Sequence, residues 1–172
     1  SALFARIFEY LDLVPEIQDA PDAIRVDAAP GPRGRVEFRD VAFRYPDAAD
    51  DARPTLDGVS FVAEPGAHVA FVGPSGAGKT TVLYLAPRLY EAAGGAVLFA
   101  GADVRTLTQE SIIDEIGIVS QETYLFHATI RENLLYAKPD ATEAELVQAC
   151  TAANIHHIIA GFEKGYDTVV GE

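Results

Sequence analysis

The stretch FVGPSGAGKTT, residues 71–81, decides how this chain is read. Gly73, Gly78, Lys79 and Thr80 satisfy the pattern G-x-x-x-x-G-K-[ST]. The spacing has a physical basis. Glycines let the backbone turn tightly and approach an anion closely. Successive N–H groups can then face one phosphate at the start of a helix, where the dipole also favours negative charge. Lys79 is the residue that would reach the β- and γ-phosphates, and the Thr80 hydroxyl could ligate Mg²⁺. The context fits, because the apolar run HVAFV leads into the turn and GKTTVLYLAPRLY leads out as a helix. Loops of this kind serve kinases, GTPases, motors and transporters alike, so the loop alone names neither the nucleotide nor the reaction.

Composition bounds the rest. The chain has 172 residues, 49% of them hydrophobic, which suits one domain with a real core. Its 26 acidic and 13 basic residues leave a formal charge of −13. That balance argues against nucleic acid as a partner, since phosphate-backbone binding needs a basic footprint. It does not argue against a small phosphate ligand, which a nest of backbone N–H groups can hold inside an acidic protein. The single cysteine, Cys150, excludes an internal disulfide. No apolar run approaches the roughly 20 residues of a membrane-spanning helix. The first residues lack the cationic region and cleavage site of a signal peptide. These features predict a soluble acidic domain.

Outward from the loop, periodicity assigns the elements. Leu3, Phe4, Ile7, Phe8 and Leu11 share one helical face, so a helix is expected over residues 1–13, broken by Pro15. Residues 19–35, DAPDAIRVDAAPGPRGR, have the composition of a linker. RVEFRDVAFRYP alternates as a strand with an irregularity near Asp40. TLDGVSFVAEPG and AHVAFVG are expected as two more strands joined at Pro65–Gly66. After the loop come a helix, a strand in AVLFAGADV, a short helix around TQESIIDE, a strand in IGIVSQ, and a mainly helical remainder broken at Pro139–Asp140. Thr142 and Glu145 form a capping box. The alternation after the loop predicts an α/β fold with a mostly parallel sheet, and the strands before it predict an added antiparallel layer.

Two further residues matter. Tyr45 ends the strand FRYP, where an aromatic could stack on a base or simply pack at the sheet edge. Gln121 closes IGIVSQ at a strand's carboxyl end, where α/β sheets bind ligands, though a surface glutamine is the plainer reading.

Taken in order, these stretches resemble the nucleotide-binding domain of an ATP-binding cassette (ABC) transporter of the exporter type. FRYP is similar to the family's A-loop, GPSGAGKTT to its Walker A, VSQETYLFHATIRENL to its Q-loop and the segment after it, and GYDTVVGE to its X-loop. FARIFEYLD with the following Pro/Asp-rich stretch resembles the passage from the last membrane helix into the nucleotide domain. The resemblance covers essentially the whole chain and implies a P-loop NTPase core with an antiparallel β layer. It implies a division into residues 1–17 after a membrane helix, a linker over 18–35, an ATP-binding core over 36–128 and the start of a helical subdomain over 129–172. It implies ATP and Mg²⁺ as ligands. Tyr45 would stack on adenine. Gly73, Pro74, Ser75, Gly76, Ala77, Gly78, Lys79, Thr80 and Thr81 would hold the phosphates, with Gln121 beside them. Thr80 and Gln121 would face the metal. The implied partners are a transmembrane domain of the same polypeptide, met through residues 124–131, and a second nucleotide-binding domain. The implied location is the cytoplasmic face of a cell membrane.

The family's LSGGQ signature, Walker B aspartate, catalytic glutamate and switch histidine are not found before Glu172. The signature is expected a few residues beyond it. No catalytic residue is therefore assigned within the chain, which is expected to bind ATP without useful hydrolysis. Asp103, and Asp114 with Glu115 in IIDE, look superficially like a Walker B, but a solvated helical face explains the latter pair better. Adjacent His156 and His157 point about 100° apart on a helix and make a poor metal pair. An alternative function, a small-molecule kinase, would need an arginine-rich lid, and after Gln121 only Arg131 is present. A third reading is a binding module that holds ATP and docks through residues 124–131 without turnover.

Overall fold

A computed structural model describes Phe4, Phe8 and residues 13–49, 53–120 and 124–171. The chain divides into two compact units, residues 1–118 and 119–172. This border falls earlier than the expected one at 128/129.

The first unit is built on a four-stranded antiparallel sheet in the order β2-β1-β3-β4. The strands are β1 (Val36–Phe43), β2 (Leu56–Ala63), β3 (Gly94–Phe99) and β4 (Ala102–Asp103). β1 lies at the centre because its alternation buries Phe38, Val41 and Phe43 on one face. The irregularity expected near Asp40 is present. Asp40 has φ 49°, and both ladders of β1 slip in register around it. β3 accommodates the bulge with a glycine: a Cβ on Gly95 would sit 2.3 Å from the carbonyl oxygens of Arg39 and Asp40. Two helices pack on this sheet, α1 (Lys79–Leu85) and α2 (Gln109–Glu115). Their Leu85 and Ile112 are fully buried with Phe38, Val41 and Leu107. Each large side chain so buried contributes roughly 1.5–3 kcal/mol.

Residues 67–73 and 116–120, read as strands from their apolar content, form no ladder among the described residues. Val72 is 91% exposed and Val119 is 98% exposed. A strand needs a hydrogen-bonded neighbour, and here none is paired with either segment, so the expected parallel sheet is not formed among the described residues. Residues 18–35, expected to be a linker, are docked along the first unit. Ile24 bridges Leu107, Val26 N–H donates to Ser111 Oγ, and Gly31 N–H donates to the Ala100 carbonyl. Arg88, whose side chain is only 4% exposed, fastens this segment by donating to the Gln18 and Leu107 carbonyls and to Glu91, with Asp19 at 3.7 Å. Of the helix expected over residues 1–13, only Phe4, Phe8 and Leu13 are described, all exposed; the remainder lies outside the described residues.

The second unit is a small helical body. It contains α3 (Ile130–Leu135), α4 (Glu143–Ala152) and α5 (His156–Ala160) around Cys150, Ile159 and Tyr166. Strands β5 (Ala128–Thr129) and β6 (Val169–Val170) pair antiparallel beside them. The Thr142–Glu145 capping box forms as read, and a second joins Thr129 and Glu132. Arg131 ties the unit together through Glu143, Asp167 and the face of Tyr166. No helix among the described residues is long and apolar enough to cross a membrane.

Gly95→Ala is expected to cost about 2 kcal/mol or more, because the added methyl meets backbone and φ is +74°; urea unfolding measures it. A second expectation concerns acid. The Lys138 ammonium, then the Thr142 N–H and hydroxyl, hold the Glu145 carboxyl down to about 2 against an ordinary 4.5. Its folded value is depressed, so its stabilisation is present above pH 4.5 and is lost as pH falls toward 2. Glu145→Gln should flatten the pH dependence of the unfolding midpoint in that window; an unchanged slope would contradict the pairing.

Candidate functional site: the glycine loop and its tyrosine

The loop between residue 73 and α1 is shaped by a close approach. Gly78 caps α1 with φ 80°, and a Cβ there would lie 2.6 Å from Leu56 Cδ2 and 2.9 Å from the Thr55 carbonyl. The entry to β2 therefore presses on the start of the helix, and only glycine fits between them. Inside the loop the Ala77 N–H donates to the Pro74 carbonyl at 3.3 Å. The Lys79 ammonium folds back to donate to the carbonyls of Gly73, at 2.9 Å, and Pro74, at 2.6 Å. By contrast, the N–H groups of Gly76, Gly78, Lys79, Thr80 and Thr81 have no acceptor among the described residues. A run of unpaired donors around an ammonium is the donor set a polyphosphate requires.

Thr80 is exposed, and its hydroxyl has no partner among the described residues. One free hydroxyl beside a phosphate site suits Mg²⁺, which takes few protein ligands and completes its shell with water and phosphate oxygens. Gln121 lies outside the described residues.

Tyr45 is brought to the same helix. Its hydroxyl lies 3.0 Å from Thr81 Oγ1. Its ring stands edge-on to Phe43, with centroids 4.9 Å apart, and to Tyr90, with centroids 5.2 Å apart. Phe43 is a local neighbour, two residues before Tyr45, whereas the Tyr90 wall had no local signal in the sequence, because its proximity depends on how β1 meets the chain beyond α1. A 630 Å³ cavity opens beside this cluster, lined by Phe43, Arg44, Pro46 and Tyr90 among others. It does not reach the loop. A 370 Å³ cavity against Ala77, Gly78 and Lys79 does. The chemistry of the donors, not cavity size, makes the loop the candidate site.

The carboxylates that mimic a Walker B are all engaged in structural contacts. Asp103 caps a turn and is held by Arg105 through three hydrogen bonds. Burial pushes its carboxyl up, but the Arg105 bonds outweigh this and the net shift is downward. Asp114 pairs with Arg25 at 3.2 Å, and Glu115 pairs with Arg33, so both fasten the docked segment. His156 Nδ1 lies 2.9 Å from the Tyr166 hydroxyl. Burial, then the hydrogen bond with Cys150, pushes that hydroxyl up to about 12.

The chain is similar to known proteins. The ABC transporter family profile covers residues 56–168. The ABC transporter aclQ of Aspergillus oryzae (strain ATCC 42149 / RIB 40) is 47% identical over 158 residues, which is 92% of this chain and 19% of aclQ. The Beta-(1-->2)glucan export ATP-binding/permease protein NdvA of Nitrobacter winogradskyi is 43% identical over 166 residues, 96% of this chain and 26% of that protein. A solved bacterial Atm1-family ABC exporter with ATP bound superposes with a TM-score of 0.84 at 39% identity, covering 98% of this chain and 29% of that one. The fold and the loop thus define a P-loop nucleotide-binding unit of mixed α and β structure, and the chain belongs to the ABC transporter family. It spans less than a third of the length of each of these relatives.

Proposed function

We propose that this chain is the ATP-binding part of an ABC exporter's nucleotide-binding domain, coupling ATP binding and hydrolysis in the whole protein to transport across a membrane. One observation carries the reading: a loop of unpaired N–H donors with Lys79 at its centre opens the helix that Tyr45 also contacts. Lys79 would exchange its two loop carbonyls for the β- and γ-phosphates. The unpaired N–H groups of residues 76–81 would hold the remaining phosphate oxygens. Thr80 would be a ligand of Mg²⁺, which would neutralise phosphate charge, while Gln121 lies outside the described residues. Tyr45 would stack on adenine.

Within residues 1–172 no group is assigned to orient an attacking water. Asp103, Asp114 and Glu115 each face an arginine, as described above. The chain itself is accordingly proposed to bind ATP without useful turnover. Hydrolysis belongs to the assembled transporter, with a second nucleotide-binding domain closing on the nucleotide.

Residues 124–131 are proposed to meet a transmembrane domain of the same polypeptide at the cytoplasmic face of the membrane. Tyr124 is 81% exposed, and Leu125 and Phe126 are also exposed. Phe126 is held by reciprocal backbone bonds with the Asn133 side chain. A rigidly held, exposed aromatic cluster is the usual anchor of a protein interface. The kinase alternative gains no support, since Arg131, the arginine after Gln121, is held by Glu143 and Asp167.

Lys79→Ala should weaken ATP binding about ten- to hundredfold, the value of one charge-assisted contact. Calorimetric titration with MgATP measures this, and an unchanged affinity would sink the assignment.

A further inference from the structure

Thr81 is the second threonine of the loop motif, yet its side chain does not face the loop's unpaired donors. It is buried, 3% exposed, and its hydroxyl lies 3.0 Å from the hydroxyl of Tyr45, on a segment 36 residues away in sequence. A buried hydroxyl without a partner costs free energy, so this pairing is held firmly. Tyr90 constrains the same ring from another side, with centroids 5.2 Å apart and planes at 86°. Phe43 supplies a third restraint at 4.9 Å and 84°. Neither neighbouring ring lies parallel to Tyr45, so among the described residues no aromatic is stacked face to face upon it.

We infer that Thr81 is a positioning residue for base recognition: its hydroxyl, with Tyr90 as a wall, fixes the ring of Tyr45 in the orientation that stacks on the nucleobase. The ligand class is a purine nucleoside triphosphate, and the inference rests on the reading that Tyr45 meets the base. An aromatic platform loses affinity when it must be immobilised on binding, because ordering a free side chain has an entropic cost. Thr81 and Tyr90 remove that cost beforehand. The phosphate loop and the base platform are thereby joined through one hydrogen bond. The helix that carries Lys79 also sets the angle of the ring above the base.

The test separates base from phosphate. MgATP and magnesium tripolyphosphate are titrated into the protein and into Thr81→Val, Thr81→Ser, Tyr45→Phe and the Thr81→Val/Tyr45→Phe pair. The readout is the affinity ratio of ATP to tripolyphosphate on each variant. Partial unfolding scales both affinities and leaves the ratio intact. The ratio should fall about three- to tenfold in Thr81→Val, as expected for one neutral hydrogen bond. Thr81→Ser should restore it. Tyr45→Phe should show the same loss, and the double variant should lose no more than either single one. An equal fall of both affinities in Thr81→Val, with the ratio unchanged, would overturn the inference. A rise in the ratio would overturn it too, showing that the bond holds Tyr45 away from the base. A wild-type protein that binds ATP no better than tripolyphosphate would overturn the Tyr45 reading and this inference together. A wild-type preference that survives Thr81→Val would overturn the inference alone.

Discussion

The site depends on one steric constraint, the contact of Gly78 with the start of β2. With Leu56 and the Thr55 carbonyl closer than any Cβ tolerates, α1 must begin where it does. The backbone turns left-handed at Gly78, at φ 80°, so the preceding loop doubles back rather than continuing as helix. Apart from Ala77, whose N–H bonds the Pro74 carbonyl, the N–H groups from Gly76 to Thr81 consequently have no acceptor among the described residues. Lys79, first residue of the helix, fills the space with its ammonium. Loop shape, donor set and lysine position all follow from that contact. It in turn depends on β1 and β2 pairing in a register that places Leu56 opposite Phe43.

A second constraint holds the periphery of the same unit. Arg88, buried with φ 58°, carries its guanidinium to two backbone carbonyls and two carboxylates. Removing one partner from a buried charge is costly, so such a hub keeps its neighbours in place. It lies a few residues beyond α1, and it fixes residues 18 and 19 to the body that carries the phosphate loop. Arg25–Asp114 and Arg33–Glu115 repeat the tie further along.

Much of this was legible in the sequence wherever the cause was local. The loop motif, the bulge at Asp40, the turn at Pro65–Gly66 and the Thr142 cap are each set by residues within a few positions. The capping signal at Thr129 and Glu132 was equally local and was overlooked. What escaped was non-local. Apolar content marked residues 67–73 and 116–120 as strands, but a ladder is a property of two segments, and the partner cannot be read from one. Proline, glycine and aspartate marked residues 19–35 as a tether, because the groups that bind that segment lie up to 90 positions away. The site divides the same way. Lys79 and Thr80 were legible from spacing. The Tyr45 hydroxyl bond to Thr81 and the wall of Tyr90 were not, since only the packing of β1 against the end of α1 brings them together.

The unpaired N–H groups of Gly76, Gly78, Lys79, Thr80 and Thr81 are proposed as the anion cradle. Amide NMR of the ¹⁵N-labelled protein, titrated with MgATP, tests it most directly. The amides of Gly76, Gly78, Lys79, Thr80 and Thr81 should shift together and saturate with one affinity. The Ala77 amide, already bonded to Pro74, should move less. Nucleotide-dependent shifts elsewhere in the chain, with these five amides unmoved, would contradict it.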